Sequence, residues 1–172
     1  SRAILKSFKK QGITLLPSHK TTNVEKTKAG VKATVADVSD ESKTQTIEAD
    51  KVLVAIGVQG RYDGLFDDSL GIETHKDHIK VDTEKGTYQS SVPGIYAIGD
   101  VIGPPWLAHV ASEEAVLCVE RLAGQNPAPL DYGAIPACTY CHPQVASIGL
   151  TEEQCKEQGI DYEVGNFPFS AS

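Results

Sequence analysis

The chain has 172 residues, 40% of them hydrophobic and 23% charged, which is enough apolar material for a sizeable core and too much for a disordered segment. A formal net charge of −7 argues against a nucleic-acid or anionic-membrane surface, and no apolar run approaches the length of a membrane span. Ser1-Arg2-Ala3 opens no signal peptide and the four cysteines are scattered, so a cytoplasmic, reducing compartment is expected. A chain without any Met reads as a piece of a longer product.

Ala3, Ile4, Leu5 and Phe8 recur at helical spacing with Gly12 as a stop, so the first dozen residues read as the last turns of an amphipathic helix. Ile13–Leu16 is expected as a short strand and Thr21–Lys26 as another. A turn at Lys28-Ala29-Gly30 leads to Val31–Val38, and a polar turn at Ser39–Lys43 leads to Thr44–Ile47, giving an antiparallel meander. Lys51–Ile56, Lys-Val-Leu-Val-Ala-Ile, reads as a buried strand ending at Gly57. Asp63–Ile72 is a loop with one helical turn, and Ile79-Lys80-Val81 a short strand. His75 and His78 read as solvated loop histidines, since their segment lacks helical periodicity and offers no third ligand.

The stretch Thr87–Asp100, Thr-Tyr-Gln-Ser-Ser-Val-Pro-Gly-Ile-Tyr-Ala-Ile-Gly-Asp, is the most informative. Ile95–Ile98 suits a buried parallel strand, which places Asp100 at its carboxyl end, where open α/β sheets collect ligands. A carboxylate there accepts hydrogen bonds from polyol hydroxyls, and Gly99 admits a ligand close to the backbone. Pro104-Pro105 then stiffens the approach to a helix over Leu107–Leu122, with Ala111, Ala115, Cys118 and Leu122 on one stripe and Gly124 as the stop. The start of that helix favours an anion. Gln125–Asp131 is a compact linker. Ile135–Ile148 reads as a strand, Thr151-Glu152-Glu153 as a helix start with the helix ending at Gly159, and Glu163–Phe169 as a further strand.

Thr87–Asp100 resembles the second flavin-binding motif of the pyridine nucleotide-disulfide oxidoreductases, flavoproteins with two dinucleotide-binding domains. Val101–Ala115, with Leu107-Ala108-His109 followed by Glu113-Glu114, is similar to the dihydrolipoamide dehydrogenase branch. The resemblance implies that Asp100, after Gly99, holds the ribitol of FAD. It implies that Trp106, Leu107, Ala108 and His109 line the flavin mainly through backbone, and His109, disfavoured as a cation in the first turn of a helix, is expected to be neutral and positional. It also puts Gly57 near the nicotinamide of NAD and the backbone around Thr21 near the adenosine. After Gly57 the chain departs from the family's Arg-x-Pro-Asn and reads Val58-Gln59-Gly60-Arg61.

The fold implied is α/β: incomplete FAD/NAD(P)-binding Rossmann-like domains with an antiparallel β-meander, followed by the start of an α+β dimerisation domain. Residues 1–60 would form the second half of an NAD domain, 61–125 part of an FAD domain and 126–172 the opening of the interface domain. The parent reaction would convert dihydrolipoamide and NAD to lipoamide and NADH in a homodimer, serving a 2-oxo acid dehydrogenase or glycine cleavage complex. Two other readings stand beside it, another disulfide reductase such as a mercuric reductase, or an inactive binding or assembly fragment.

Family chemistry needs a Cys-x4-Cys pair, glycine-rich nucleotide loops and a distal His–Glu dyad. None of Cys118, Cys138, Cys141 and Cys155 are five apart, no GxGxxG occurs, and five residues after His142 stands Ser147. Cys138-Thr-Tyr-Cys141 fits CxxC, but its flanking Pro136 and Pro143 oppose a helical redox motif, and on an extended strand the two thiols face apart. No catalytic residue and no metal site are therefore expected here, and the isolated chain is expected to be inactive.

Overall fold

The computed structural model describes residues 2–169 and forms two compact units. One holds the residues up to Gly57 together with Tyr140–Gln144. The other holds Val58–Thr139 and the residues from Val145 onward.

In the first unit, α1 (Arg2–Lys10) carries Lys9 and Lys10 in its last turn, where cations complement the helix dipole. Ile4, Ser7 and Phe8 form its half-buried stripe, and Ser7 Oγ donates to the His142 carbonyl at 2.8 Å. The meander consists of β1 (His19–Lys26), β2 (Val31–Asp37) and β3 (Thr44–Ala49), all antiparallel in the order β1-β2-β3. Its buried side chains come from the central strand, Val35 and Ala36. Register slips once in β1, where Thr21 pairs with Val35 and Asn23 with Thr34. The extra residue, Thr22, donates its hydroxyl to the Thr34 carbonyl at 3.2 Å, so the bulge leaves that acceptor occupied.

Turn chemistry fixes the two hairpins. Asp37 Oδ1 accepts from the Ser39 amide and hydroxyl, and Asp40 Oδ1 accepts from those of Ser42. The Ser39 and Ser42 hydroxyls thereby hold these carboxyls below the usual range. At the other end Gly30 adopts φ +154°, and a Cβ there would lie 2.4 Å from the Ala49 carbonyl oxygen, so this turn admits only glycine.

Two expected strands are absent from this unit. Ile13–Leu16 is irregular, and Lys51–Ile56 joins no ladder, leaving Leu53 90% and Ile56 93% exposed. A strand needs a hydrogen-bonding neighbour, and none is supplied among the described residues.

The second unit opens with a 3-10 turn, Asp68–Leu70, capped by Asp67 Oδ1 accepting from the Ser69 amide at 2.8 Å. A hairpin follows, β4 (Thr74–His75) and β5 (His78–Ile79), whose two loop residues Lys76 and Asp77 both have positive φ. Gly60, in the segment that departs from the family, donates its N–H to the Asp77 carbonyl at 3.0 Å, and a Cβ there would come within 2.7 Å of that oxygen. Of the expected strand at Ile79–Val81, only Ile79 lies in the hairpin, while Val81 bridges Ser90. Ile95–Ile98 is likewise not a parallel strand. Its single bridge is antiparallel, from Tyr96 to Gln89, and every sheet among the described residues is antiparallel.

The core of this unit centres on α2 (Ala108–Leu122), where Leu117 and Cys118 pack on Tyr88 with Val81, Tyr96, Ile98, Ile102 and Leu130 around them. The buried stripe is Val110, Glu114, Leu117 and Cys118. It corrects the expected Ala111, Ala115, Cys118 and Leu122, for Leu122 is 57% exposed. Ile135–Ile148 splits into a hairpin, β6 (Ala137–Thr139) and β7 (Val145–Ser147). Cys141 therefore lies outside the strand expected to hold it, and its Sγ donates to the Pro143 carbonyl at 3.0 Å. The last helix, α3 (Glu152–Gln158), keeps its predicted bounds through a reciprocal Thr151–Gln154 capping box and a left-handed Gly159. Glu163–Phe169 forms no strand.

Candidate functional site

The segment from Ile98 to Val110 builds the site. Ile98 is extended, and Gly99–Ile102 coils into a 3-10 turn that the N–H of Gly103 closes onto the Asp100 carbonyl at 3.3 Å. Gly99 has φ +73°, and a Cβ there would stand 3.2 Å from Ala111 Cβ, so the turn sits directly on the first turn of α2. Asp100 is exposed. Leu107 caps α2 without any side-chain hydrogen bond, leaving the positive end of the helix to other partners.

Trp106 is 40% exposed, and Leu107, Ala108 and His109 follow it into the helix. Two hydrogen bonds set the tautomer of His78, whose ring stacks on Trp106 with centroids 5.9 Å apart. Its Nδ1–H donates to the Lys76 carbonyl at 2.6 Å, so Nε2 is free to accept from Trp106 Nε1–H at 3.4 Å. His78 is thus a packing partner of the indole, where the sequence suggested a solvated histidine. His109 Nε2–H donates to the Pro136 carbonyl at 3.1 Å, which ties the start of α2 to the approach to β6. An open cleft of about 1150 Å³ lies beside this segment, lined by His78, Lys80, Ile102, Pro104, Trp106 and Tyr132 among others. Asp100, Leu107, Ala108 and His109 do not line it.

Beneath the turn lies a group to which the sequence assigned no role of its own. Glu114 is only 2% exposed, yet it accepts the Gly99 N–H at 2.6 Å through Oε2 and the Tyr132 hydroxyl at 2.7 Å through Oε1. Burial, then donation to Glu114, pushes the Tyr132 phenol well above its ordinary 10.0. Tyr88 is pushed up as well, chiefly by burial, and its hydroxyl lies within electrostatic reach of Tyr132 and Glu114 but finds no well-aligned hydrogen bond. Because only the unfolded chain ionises these phenols readily, their contribution to stability is intact below about pH 10 and is lost as pH rises beyond it. Tyr132→Phe is expected to flatten the alkaline fall of the denaturation midpoint. Superimposable profiles for parent and variant above pH 10 would remove Tyr132 from that linkage.

The other predicted residues lie in the first unit. Thr21 is an exposed residue of β1 just before the bulge, and Gly57 has φ +131° after the unpaired Lys51–Ile56 run. The concavity in that unit, about 560 Å³, is lined by Val24, Lys26, Gly30, Asp50 and Val54 among others, and by neither Thr21 nor Gly57.

Residues 1–115 match the family model of the pyridine nucleotide-disulphide oxidoreductases, and residues 135–172 match the dimerisation domain of the same family. The chain belongs to this family. Dihydrolipoyl dehydrogenase from Rhizobium etli is 46% identical over 168 residues, covering 97% of this chain and 34% of the relative. That of Chlorobaculum tepidum is 46% identical over 172 residues, covering 100% of this chain and 36% of the relative. The chain thus spans about a third of the length of the curated relatives it matches. An HOCl-induced flavoprotein disulfide reductase from Escherichia coli shares the fold, with a TM-score of 0.79 at 22% identity over 99% of this chain and 37% of that one. The fold class is therefore the α/β class of these disulfide reductases, with a dimerisation region at its end. Among the described residues no helix is long and apolar enough to cross a membrane.

Proposed function

We propose that these residues are the central part of a dihydrolipoyl dehydrogenase that oxidises dihydrolipoamide at the expense of NAD through a bound FAD. The observation that carries this reading is the exposed Asp100 carboxylate, set on a turn seated against the uncapped start of α2. Those features fit the ribityl and ring edge of a flavin. A carboxylate accepts from hydroxyls, a left-handed glycine leaves room for close approach, and a helix start favours negative charge. FAD, when bound, supplies the two-electron relay between a dithiol and a nicotinamide.

The residues that act are assigned accordingly. Asp100 and Gly99 would hold the ribitol, and Trp106, Leu107, Ala108 and His109 would line the flavin, with His109 kept in place by Pro136. Thr21 and Gly57 would contribute to the NAD site in residues 1–60, with FAD-domain residues 61–125 and interface residues 126–172 following. No catalytic residue is assigned within the chain, because all four cysteines are free thiols and none form the spaced pair the reaction needs. The rest of the site, and neighbours for the bare Lys51–Ile56 run, would come from further sequence of the same enzyme, working as a cytoplasmic homodimer within a 2-oxo acid dehydrogenase or glycine cleavage complex. The relatives' names and the match to a dimerisation domain support this reading.

The test is the visible flavin absorbance of the native gene product that carries this sequence, combined with lipoamide-dependent oxidation of NADH. A colourless protein without lipoamide activity would overturn the proposal. A yellow protein that ignores lipoamide but reduces another disulfide or a metal ion would replace the substrate and keep the cofactor.

A further inference from the structure

Glu114 occupies a core position of α2 where Val110, Leu117 and Cys118 are its buried companions, and where an aliphatic side chain would ordinarily serve. A carboxylate 2% exposed carries a large desolvation cost unless its lone pairs are engaged. Both oxygens are engaged, one by the Gly99 N–H at 2.6 Å and one by the Tyr132 hydroxyl at 2.7 Å. Gly99 is the first residue of a 3-10 turn, so its N–H has no partner within the turn and no ladder beside it. The turn is therefore held to α2 at two points one helical turn apart, by close packing on Ala111 and by the hydrogen bond to Glu114.

We infer that Glu114 is a positioning residue that fixes the Gly99–Asp100 turn over the start of α2, with Tyr132 as the donor that keeps its carboxylate aimed. The inference rests on the flavin reading given above for its consequence, although the hydrogen bonds stand without it. Asp100 follows the anchored amide directly, so a shift of that amide moves the ribityl-binding carboxylate. Tyr132 belongs to a second 3-10 turn, Tyr132–Ala134, which Asp131 caps by accepting from the Gly133 amide at 2.8 Å. The segment after the linker thus reaches back to support the site.

The experiment uses the native gene product and compares Glu114→Ala, Glu114→Gln and Tyr132→Phe. Two quantities are read, amide exchange of the peptide containing Gly99 and the affinity of the apoprotein for FAD from quenching of flavin fluorescence. Glu114→Ala is expected to speed exchange at Gly99 and to weaken FAD binding, each by about tenfold or more, the scale of a lost bond to a charged group. Glu114→Gln keeps an acceptor for the Gly99 N–H and is expected to restore both to within about threefold of the parent. Tyr132→Phe should fall between them. Parent-like exchange in Glu114→Ala, or a glutamine variant as impaired as the alanine one, would overturn the inference. If Glu114→Ala does not fold, unchanged exchange at Gly99 in Tyr132→Phe does the same. A parent that binds no FAD defeats the flavin reading alone, since the exchange measurement still decides whether Glu114 anchors the turn.

Discussion

Asp100→Ala is expected to weaken FAD retention by about tenfold to a hundredfold while leaving the secondary structure and melting temperature of the apoprotein unchanged. The magnitude follows from the type of bond. Hydrogen bonds that involve an ionised group contribute about 1.5–3 kcal/mol, and every 1.4 kcal/mol is a factor of ten in affinity. The second part follows from exposure, since the side chain contributes nothing to the packed cluster around Tyr88. Asp100→Asn keeps an acceptor but removes the charge and should lie between parent and alanine variant. Equal flavin content in all three after exhaustive dialysis would show that the ribityl chain is held elsewhere.

Leu117→Ala is expected to destabilise the second unit by about 2–5 kcal/mol, because it empties a side chain from the centre of the largest apolar cluster. Leu117 is 7% exposed and packs with Cys118 and the fully buried Tyr88. Its packing partner Tyr88 holds φ +55°, uncommon for a bulky residue. A urea midpoint for Leu117→Ala equal to that of the parent would mean that the cluster around Tyr88 does not carry the stability of this unit. Leu122→Ala is the contrasting control on the same helix, because Leu122 is 57% exposed and its loss should cost little.

Some features of the fold are stated locally by the chain, and others arise only by contact between distant segments. The meander was legible because Gly30 and the Asp37-Asp40 turn are local devices, and the observed strands extend the expected ones by two residues at each outer end. The last helix was legible for the same reason, Thr151, Gln154 and Gly159 being its own start and stop. The Lys76-Asp77 hairpin was not, because neither residue announces positive φ as Asn-Gly would. Apolar runs such as Lys51–Ile56 and Ile95–Ile98 misled, since apolar composition says that a segment wants burial and not which neighbour provides it.

The sequence by itself determined the family, through Thr87–Asp100 and Leu107–His109, together with the turn at Gly30 and the capped α3, because each rests on residues adjacent in the chain. Tertiary structure alone decided that His78 braces Trp106, that the buried stripe of α2 runs through Val110 and Leu117, and that a carboxylate lies within it. Glu114 enters the sequence only as part of the Glu113-Glu114 pair of the resemblance, and folding brings an amide 15 residues upstream and a phenol 18 residues downstream to its two oxygens. Hydrophobic periodicity ranks positions by side-chain chemistry, whereas burial of a charge depends on donors supplied by distant segments.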